Sequence, residues 1–193
     1  MASVGNQDRR DRLRDAAIEV LAGQGGRGLT HRAVDGAAGV PPGTAKNYFP
    51  TRQALLRAIA ERCVELYREI PTPAPLGRDG LAGMMAALLS DVAGPGRNRM
   101  LAYLELQAEA SRSPWLAPLV DSIAAADFAT IEQAQRSAGL PVTRQRAAAV
   151  TLALHAAIPH LLAGGSSTLA AAGLDDLDRF ARDLLESVYG PPE

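Results

Sequence analysis

Apolar residues recur at helical spacing along almost the whole chain. In the first stretch Leu13, Ala17 and Leu21 stand four residues apart, and apolar neighbours widen the stripe. This period places apolar side chains on one face of a helix, whereas a half-buried strand would alternate apolar and polar residues. The pattern predicts a helix over residues 8–22, ended by Gly23 because glycine is favoured just beyond the C-terminus of a helix.

Two short helices are predicted next. Thr30 is a suitable N-cap for a helix that ends near Ala38, since its hydroxyl can accept a hydrogen bond from a free backbone amide, and Gly39 follows as a stop. A third helix is predicted to begin at the double proline at 41–42, because proline is tolerated in a first turn. This helix must stop before Pro50.

A longer fourth helix is predicted after a Thr51 cap, and PTPAPLG at residues 71–77 then forms a non-helical boundary. Further helices are predicted at residues 79–93, 98–111, 115–137, 143–163 and 174–189. They are separated by GPG at 94–96, Pro114, GLP at 139–141 and GGSS at 164–167. Because no stretch alternates as a strand, the sequence predicts an all-α fold.

Composition agrees with this fold class. Ala and Leu, which favour helices, supply most of the apolar residues, and aromatic residues make up only 4% of the chain. The single cysteine, Cys63, excludes an intrachain disulfide and a zinc site made of cysteines. The sequence shows neither a secretory signal pattern nor an uncharged apolar stretch of about 18 residues. We therefore expect a cytoplasmic protein with no membrane span, no metal and no cofactor.

The charges are distributed unevenly. Residues 1–57 carry nine Arg or Lys against five Asp or Glu, whereas residues 58–193 carry eleven against sixteen. A basic N-terminal third beside an acidic remainder indicates that one end of the chain meets a polyanion.

A glycine motif between the first two helices has the spacing of a nucleotide-binding loop. Gly23, Gly25 and Gly28 match G-x-G-x-x-G. A dinucleotide fingerprint also requires a strand before the glycines, a helix directly after them, and an acidic residue about 20 positions further on. Here an amphipathic helix precedes them, and Asp35 comes too early. We interpret these glycines as a helix stop and a connector.

The pattern that points to a function lies in residues 29–59. Two short helices joined by a turn at Gly39–Val40 have the outline of a helix-turn-helix, whose second helix enters the major groove of DNA. An ordinary helical hairpin has the same outline. The stretch TAKNYFPTR, residues 44–52, favours DNA binding because it is rich in hydrogen-bond donors and contains no carboxylate.

Residues 8–63 resemble the N-terminal domain of the TetR family of bacterial transcriptional regulators. The resemblance is carried by Thr30, Ala33, Ala38-Gly39-Val40, Gly43-Thr44, Tyr48-Phe49, Thr51-Arg52 and Leu55. So many matches in register, over about 30 residues, make it specific. The chain departs from the family pattern at Pro41, usually Ser or a similar cap, at Ala45, usually Leu, and at Lys46, usually Tyr.

The resemblance implies a DNA-binding role for several residues. Lys46 would contact bases, and a lysine can donate to guanine O6 or N7. Gly43 and Ala45 would let the recognition helix approach the bases closely. Contacts to phosphates, or support of base readout, are implied for Thr30, Thr44, Asn47, Tyr48, Thr51 and Arg52.

Other residues of this segment are interpreted as structural. His31 is expected to be a solvated residue at the start of its helix, with no chemical role. The small core that holds the helices together is predicted to contain Leu21, Val34, Val40, Phe49 and Leu55.

The resemblance further implies a helical C-terminal region that binds a small molecule and forms a homodimer through its last two long helices. The candidate interface residues are Val150, Leu154, Ile158, Leu162, Leu177, Ala181, Leu184 and Val188. Candidate pocket residues are Met84, Met85, Met100, Tyr103, Trp115, Phe128 and His155. Core packing is the alternative for each pocket residue. The scarcity of charges in residues 115–131 and 147–163 favours a largely apolar ligand.

The sequence thus predicts a disordered tail at residues 1–7, a helix-turn-helix domain at 8–57, and an effector-binding and dimerisation domain at 58–193. The predicted function is a ligand-responsive regulator, a repressor that binds a palindromic DNA operator as a homodimer and is released by an effector. A small all-α enzyme and a helical module without DNA binding are the alternatives. Neither a Ser/His/Asp set nor a metal motif supports an enzyme, and no catalytic residue is predicted.

Overall fold

The computed structural model of the protein describes residues 4–69 and 77–191. Every regular element in these ranges is a helix, which confirms the predicted all-α class. The helices are α1 (Val4–Gly28), α2 (His31–Ala38), α3 (Thr44–Tyr48), α4 (Arg52–Arg68), α5 (Gly77–Ala93), α6 (Arg97–Ala110), α7 (Ala117–Ser137), α8 (Arg144–Ala163), α9 (Ser166–Ala171) and α10 (Leu177–Tyr189).

The described residues fall into two compact units. Unit 1 contains residues 4–69 and 98–123, and unit 2 contains residues 77–97 and 124–191. The predicted division between residues 57 and 58 lies inside α4 and does not coincide with this one. The difference arises because Ala102 and Leu106 of α6 are buried in the core of unit 1.

The core of unit 1 forms where α1 packs against α2 and α4. It confirms the core predicted for the N-terminal segment. Four of the five predicted residues are buried, and Val40 packs against them while partly exposed. The buried residues from that prediction are Leu21, Val34, Phe49 and Leu55.

The core of unit 2 forms between α5, α8 and α10. Met85 of α5, Val150 of α8 and Leu185 of α10 are fully buried there. Each of these helices presents residues three or four positions apart to this core, as the sequence periodicity indicates.

Helix α1 is longer than predicted at both ends. Residues 4–7 are helical rather than disordered, and the Gln7 side-chain amide donates to the Asp11 carboxylate at 3.0 Å; residues 1–3 lie outside the described ranges. The helix also passes through Gly23, so that glycine is not its stop. The break comes at Gly25, whose φ of 65° is a left-handed conformation that favours glycine.

The start of the third helix also differs from the prediction. The double proline at 41–42 lies in a turn before α3 rather than in its first turn, and the Pro41 carbonyl accepts a hydrogen bond from the Thr44 amide at 3.2 Å. Helix α9 was not predicted; it begins within the expected GGSS break at Ser166 and extends beyond it. The expected boundary at residues 71–77 falls outside the described residues, except that Gly77 begins α5.

Helix α8 has the length and the apolar composition of a membrane-spanning helix. This is weak evidence for a span, because the core helix of a soluble protein passes the same test. Val150, Leu154 and Ala157 of this helix are buried in the core of unit 2. Their burial gives α8 a role in the core and accounts for much of its apolar composition.

Candidate nucleic-acid interface

Local caps fix both ends of α2, and the second cap makes the turn that leads to α3. The Thr30 hydroxyl accepts a hydrogen bond from the Ala33 amide at 3.1 Å, as the sequence predicted. Gly39 ends α2 in the left-handed region with φ 60°, and the Val40 amide donates to the Asp35 carbonyl at 3.0 Å. The left-handed Gly39 and the Val40–Asp35 bond give the reversal of direction that a helix-turn-helix requires.

Helix α3 exposes two hydrogen-bonding side chains, those of Lys46 and Asn47. Ala45 faces the other way and is fully buried. The implied role of Ala45 in approaching DNA bases is therefore wrong, because its side chain packs into the core of unit 1. Its small size lets this short helix lie close against that core. Gly43 is exposed at the start of the helix with φ 91°.

The other polar residues of α3 make contacts within unit 1. The Thr44 hydroxyl donates to the Pro41 carbonyl oxygen at 2.6 Å. Tyr48 is half-buried, and its hydroxyl donates to the side-chain oxygen of Asn6 in α1. Both hydroxyls keep acceptor capacity, but their donors are already used in the free protein.

Asp35 of α2 is a buried carboxylate for which the sequence predicted no role. It is only 3% exposed. Its two oxygens accept hydrogen bonds from the backbone amides of Gly43 and Ala45, each at 2.7 Å. A carboxylate at this place satisfies free amides at the N-terminus of α3 and interacts favourably with the helix dipole. Its position in a mainly apolar helix before a glycine turn was the available signal.

His31 is not the solvated residue that was expected. It is half-buried, and its Nε2 atom lies 2.6 Å from the carbonyl oxygen of Phe49. Because a carbonyl oxygen can only accept, Nε2 carries the hydrogen in this contact. His31 therefore joins the start of α2 to the residue that follows α3.

The start of α4 combines a cap with a long-range contact. Thr51 caps the helix, its hydroxyl accepting from the Ala54 amide at 3.0 Å. The Arg52 guanidinium donates to the carbonyl oxygens of Leu29, at 3.0 Å, and Gly26, at 2.7 Å. Arg52 therefore holds the segment that precedes α2, in addition to any contact with a phosphate.

A cleft of about 320 Å³ lies beside α3 and the start of α4. Arg10 of α1 and Arg57 of α4 line it together with Glu61, and neither arginine was singled out from the sequence. The Arg10 guanidinium lies 5.4 Å from the centre of the Phe49 ring, in cation–π geometry. The remaining lining residues are Tyr48, Phe49, Thr51, Gln53, Ala54 and Ala58.

The family comparison covers the C-terminal part of the chain. A family model described as tetracyclin repressor-like, C-terminal domain, matches residues 76–189, more than half of the sequence. The chain belongs to the TetR family. The resemblance seen in residues 8–63 and the family match together span both parts of a TetR-family regulator. The comparison with curated proteins gives no match.

Several solved structures are similar to the chain over almost its whole length. A TetR-family regulator from a Rhodococcus species is 23% identical, covers 95% of this chain and 99% of its own, and has a TM-score of 0.72. A family member from Streptomyces coelicolor A3 is 24% identical over 96% and 99%, with a TM-score of 0.68. The multidrug binding protein EbrR with ethidium is 26% identical over 95% and 99%, with a TM-score of 0.64.

The residues predicted to line the effector pocket of this TetR-family protein divide between the two units. Met100, Tyr103 and Trp115 belong to unit 1, whereas Met84, Met85, Phe128 and His155 belong to unit 2. Met85 is fully buried in the core of unit 2, so core packing accounts for it. In unit 2, His155 Nε2 lies 2.6 Å from an oxygen of the Asp127 carboxylate, and the Phe128 ring meets the imidazole edge-on at 5.6 Å.

Several predicted dimer residues of this TetR-family protein are buried within a single chain. Val150 and Ala181 are fully buried, and Leu154 and Leu162 are at most 7% exposed. They pack within a single chain, which leaves them little surface for contact with a second copy. Leu177, Leu184 and Val188 are partly buried against the core of unit 2, and Ile158 is half-buried. Within residues 4–69 and 77–191, the large apolar side chain that faces outward is Leu152 of α8, 58% exposed.

Proposed function

We propose that the protein is a ligand-responsive transcriptional repressor, which binds a palindromic DNA operator as a homodimer in the cytoplasm and leaves it when a small-molecule effector binds. The observation that carries this proposal is the exposed surface of α3. Lys46 and Asn47 project from a helix whose other face is packed and whose ends are held by α2. A rigid helix with outward donors suits direct readout of base edges in the major groove.

Phosphate contacts would come from the residues that surround α3. Arg10 and Arg57 line the cleft beside it, and Thr51 caps α4 at the same place. Neutralising phosphates with such cations releases condensed counterions, so binding should weaken steeply as salt rises. These contacts set affinity, whereas Lys46 and Asn47 would set sequence preference.

The proposed dimer forms through the exposed face of α8. Ala149, Leu152, Ala156 and Pro159 are exposed and follow one another at spacings of three or four residues, so they share one side of the helix. This apolar stripe replaces the buried seam predicted from the sequence. A two-fold dimer is required to read two half-sites in successive turns of the major groove.

The proposed effector is a largely apolar organic molecule bound by the C-terminal region. Support comes from the similar structures of EbrR, which were determined with ethidium and with malachite green. In this chain Met84, Phe128 and His155 of unit 2 remain the candidate contacts. An effector that binds one of two conformations better than the other shifts their populations and thereby weakens operator binding.

The alternative of a small all-α enzyme has no observation in its favour. Among the described residues no group of three or more His, Cys, Asp or Glu side chains is placed to hold a metal ion. Burial raises the pKa of the Cys63 thiol to about 12, so this cysteine is a poor nucleophile at neutral pH.

The test of the DNA-binding proposal is selection of bound sequences from random duplex DNA by the purified full chain. We expect an enriched palindrome and a half-site spacing of about one helical turn or a multiple of it. The control is the double variant Lys46→Ala/Asn47→Ala, which should lose the enrichment while retaining its fold. If the folded wild-type protein enriches no sequence, the proposal is wrong.

The test of the effector proposal uses the enriched duplex. Ethidium and malachite green are added to the complex, and DNA release is followed by the anisotropy of a labelled duplex. Because both dyes bind DNA, the matched control is a complex of the same duplex with an unrelated DNA-binding protein. Release from this protein alone supports an effector of large apolar, aromatic surface; equal release from both proteins argues against these dyes as effectors.

A further inference from the structure

The recognition helix α3 has only five residues, and no side chain directly before it can cap it. Isolated helices shorter than about 12 residues are marginal in water, so α3 depends on its neighbours for its conformation. Pro41, Pro42 and Gly43 offer no side-chain acceptor, and the Gly43 cap makes no side-chain hydrogen bond. The Thr44 amide donates to the Pro41 carbonyl oxygen, but the amides of Gly43 and Ala45 need an acceptor from elsewhere.

Asp35 provides this acceptor from the preceding helix. Its two carboxylate oxygens accept hydrogen bonds from the amides of Gly43 and Ala45, at 2.7 Å each. These residues lie eight and ten positions further along the chain. Both contacts lie at the positive end of the helix dipole, where a negative charge is favourable. The carboxylate is also buried, so water cannot replace it as an acceptor without rearrangement of unit 1.

His31 holds the opposite end of α3. It lies four residues before Asp35, and residues at this spacing share one face of a helix about one turn apart. Its Nε2–H donates to the carbonyl oxygen of Phe49, the C-cap residue of α3, at 2.6 Å. One face of α2 thus contacts both ends of α3, with an acceptor at the N-terminus and a donor at the C-terminus.

We propose that His31 and Asp35 form a two-point clamp that sets the orientation of α3 and thereby the sequence specificity of DNA binding. Lys46 and Asn47 lie between the two clamped ends, so release of either end lets their side chains tilt relative to the bases. The two clamp residues are positioning residues, since they act on DNA through α3. This proposal rests on the proposed DNA-binding function and assigns part of its specificity to α2.

The functional test compares affinity for the enriched duplex with affinity for random duplex DNA. Asp35→Asn and His31→Ala should each weaken binding to the enriched duplex about tenfold or more, since each leaves a backbone group of α3 without its partner. Affinity for random DNA should change by less than about twofold, because it depends on phosphate contacts. His31→Gln should restore specificity, since its amide nitrogen can donate to the same carbonyl.

The control is Asp121→Asn, which removes a carboxylate from an exposed position in α7 of unit 1. It should leave both affinities unchanged. If His31→Ala and Asp35→Asn lower the two affinities equally, the residues matter only for folding and the clamp proposal is wrong. The proposal is also wrong if His31→Gln behaves like His31→Ala.

A second readout uses the free protein. Amide hydrogen exchange should speed up at Gly43 and Ala45 in Asp35→Asn, while the thermal midpoint shows whether the chain stays folded. If the wild-type protein selects no DNA but exchange still responds in this way, the proposed function fails and the clamp stands as a structural device. Unchanged exchange at both amides would overturn the clamp itself.

Discussion

Arg52, the first residue of α4, holds Gly26 near the end of α1. Its Nη2 atom donates to the Gly26 carbonyl oxygen at 2.7 Å, and Nη1 donates to the Leu29 carbonyl oxygen at 3.0 Å. The Gly26 amide in turn donates to the Glu105 carboxylate of α6 at 3.1 Å. Both backbone polar groups of Gly26 are therefore held by charged side chains, directly after the backbone break at Gly25. The segment that leads into α2 is thus fixed from two helices of unit 1.

We predict that Arg52→Ala lowers the free energy of unfolding by about 1 kcal/mol, because two carbonyl groups lose a charged donor at a partly exposed site. Arg52→Lys should recover only part of the loss, since a lysine ammonium lacks the planar fork that reaches both carbonyls. Urea denaturation measures this difference.

The matched control for Arg52 is Arg57→Ala on the same helix. Arg57 is exposed and lines the cleft beside α3. Its removal should leave stability nearly unchanged and reduce the salt dependence of DNA binding by about one phosphate contact. Equal destabilisation by both variants would contradict the structural role assigned to Arg52.

Lys46 is the exposed cation at the centre of α3. If it reads a base, Lys46→Ala should relax the preference at one position of each half-site and cost about 1–3 kcal/mol on the enriched sequence. If Lys46 contacts a phosphate, the affinity for all DNA sequences should fall alike. Repeating the selection with the variant distinguishes these results, and Arg182→Ala on α10 serves as a charge-matched control. If the variant selects the same sequences with the same affinity, Lys46 is not part of the DNA interface.

The exposed side of α8 is the proposed dimer surface. Leu152→Glu should shift the protein from dimer to monomer, because it places a charge in the centre of an apolar interface. Sedimentation velocity over a range of protein concentrations measures the shift. Ala87→Glu, at an exposed position of α5, is the control and should leave the dimer intact.

A variant of Val150 distinguishes the core face of α8 from the proposed dimer face on the same helix. It is fully buried, so Val150→Ala should lower the free energy of unfolding by about 1–2 kcal/mol through lost burial and a residual cavity. It should not change the dimer dissociation constant under conditions where the chain stays folded. If Val150→Ala dissociates the dimer and Leu152→Glu does not, the interface predicted from the sequence is favoured over the exposed face of α8.

The ionisation and reactivity of the Cys63 thiol test the packing of the unit 1 core. Burial, the largest cause, raises the pKa of its thiol from 9.0 to about 12. The thiol is therefore neutral in the folded protein through pH 9, whereas in an unfolded chain the same thiol is already about half ionised at that pH. Its contribution to stability is fully present below pH 9 and is lost as the pH rises toward 12. A thiol reagent at pH 8 should label Cys63 only after denaturation; rapid labelling of the folded protein would contradict this burial.

The sequence by itself determined features that depend on neighbouring residues. The caps at Thr30, Gly39 and Thr51 are where their residue types placed them, because capping joins a side chain or a left-handed glycine to amides and carbonyls a few residues away. The all-α class and the resemblance of residues 8–63 to the TetR family rest on the same local patterns. The family match over residues 76–189 agrees with them.

Only the tertiary structure decided which surfaces and distant groups meet. Helix α8 carries apolar residues around much of its circumference, so its sequence could not tell whether Val150 or Leu152, about 200° apart, faces the core. Burial against α5 and α10 assigned Val150 to the inside and left Leu152 outside. The contact of Arg52 with Gly26, and the bonds of Asp35 and His31 to α3, join groups that no short-range pattern pairs. Such contacts are fixed by the packing of helices against one another, which a helical period of 3.6 residues permits but does not specify.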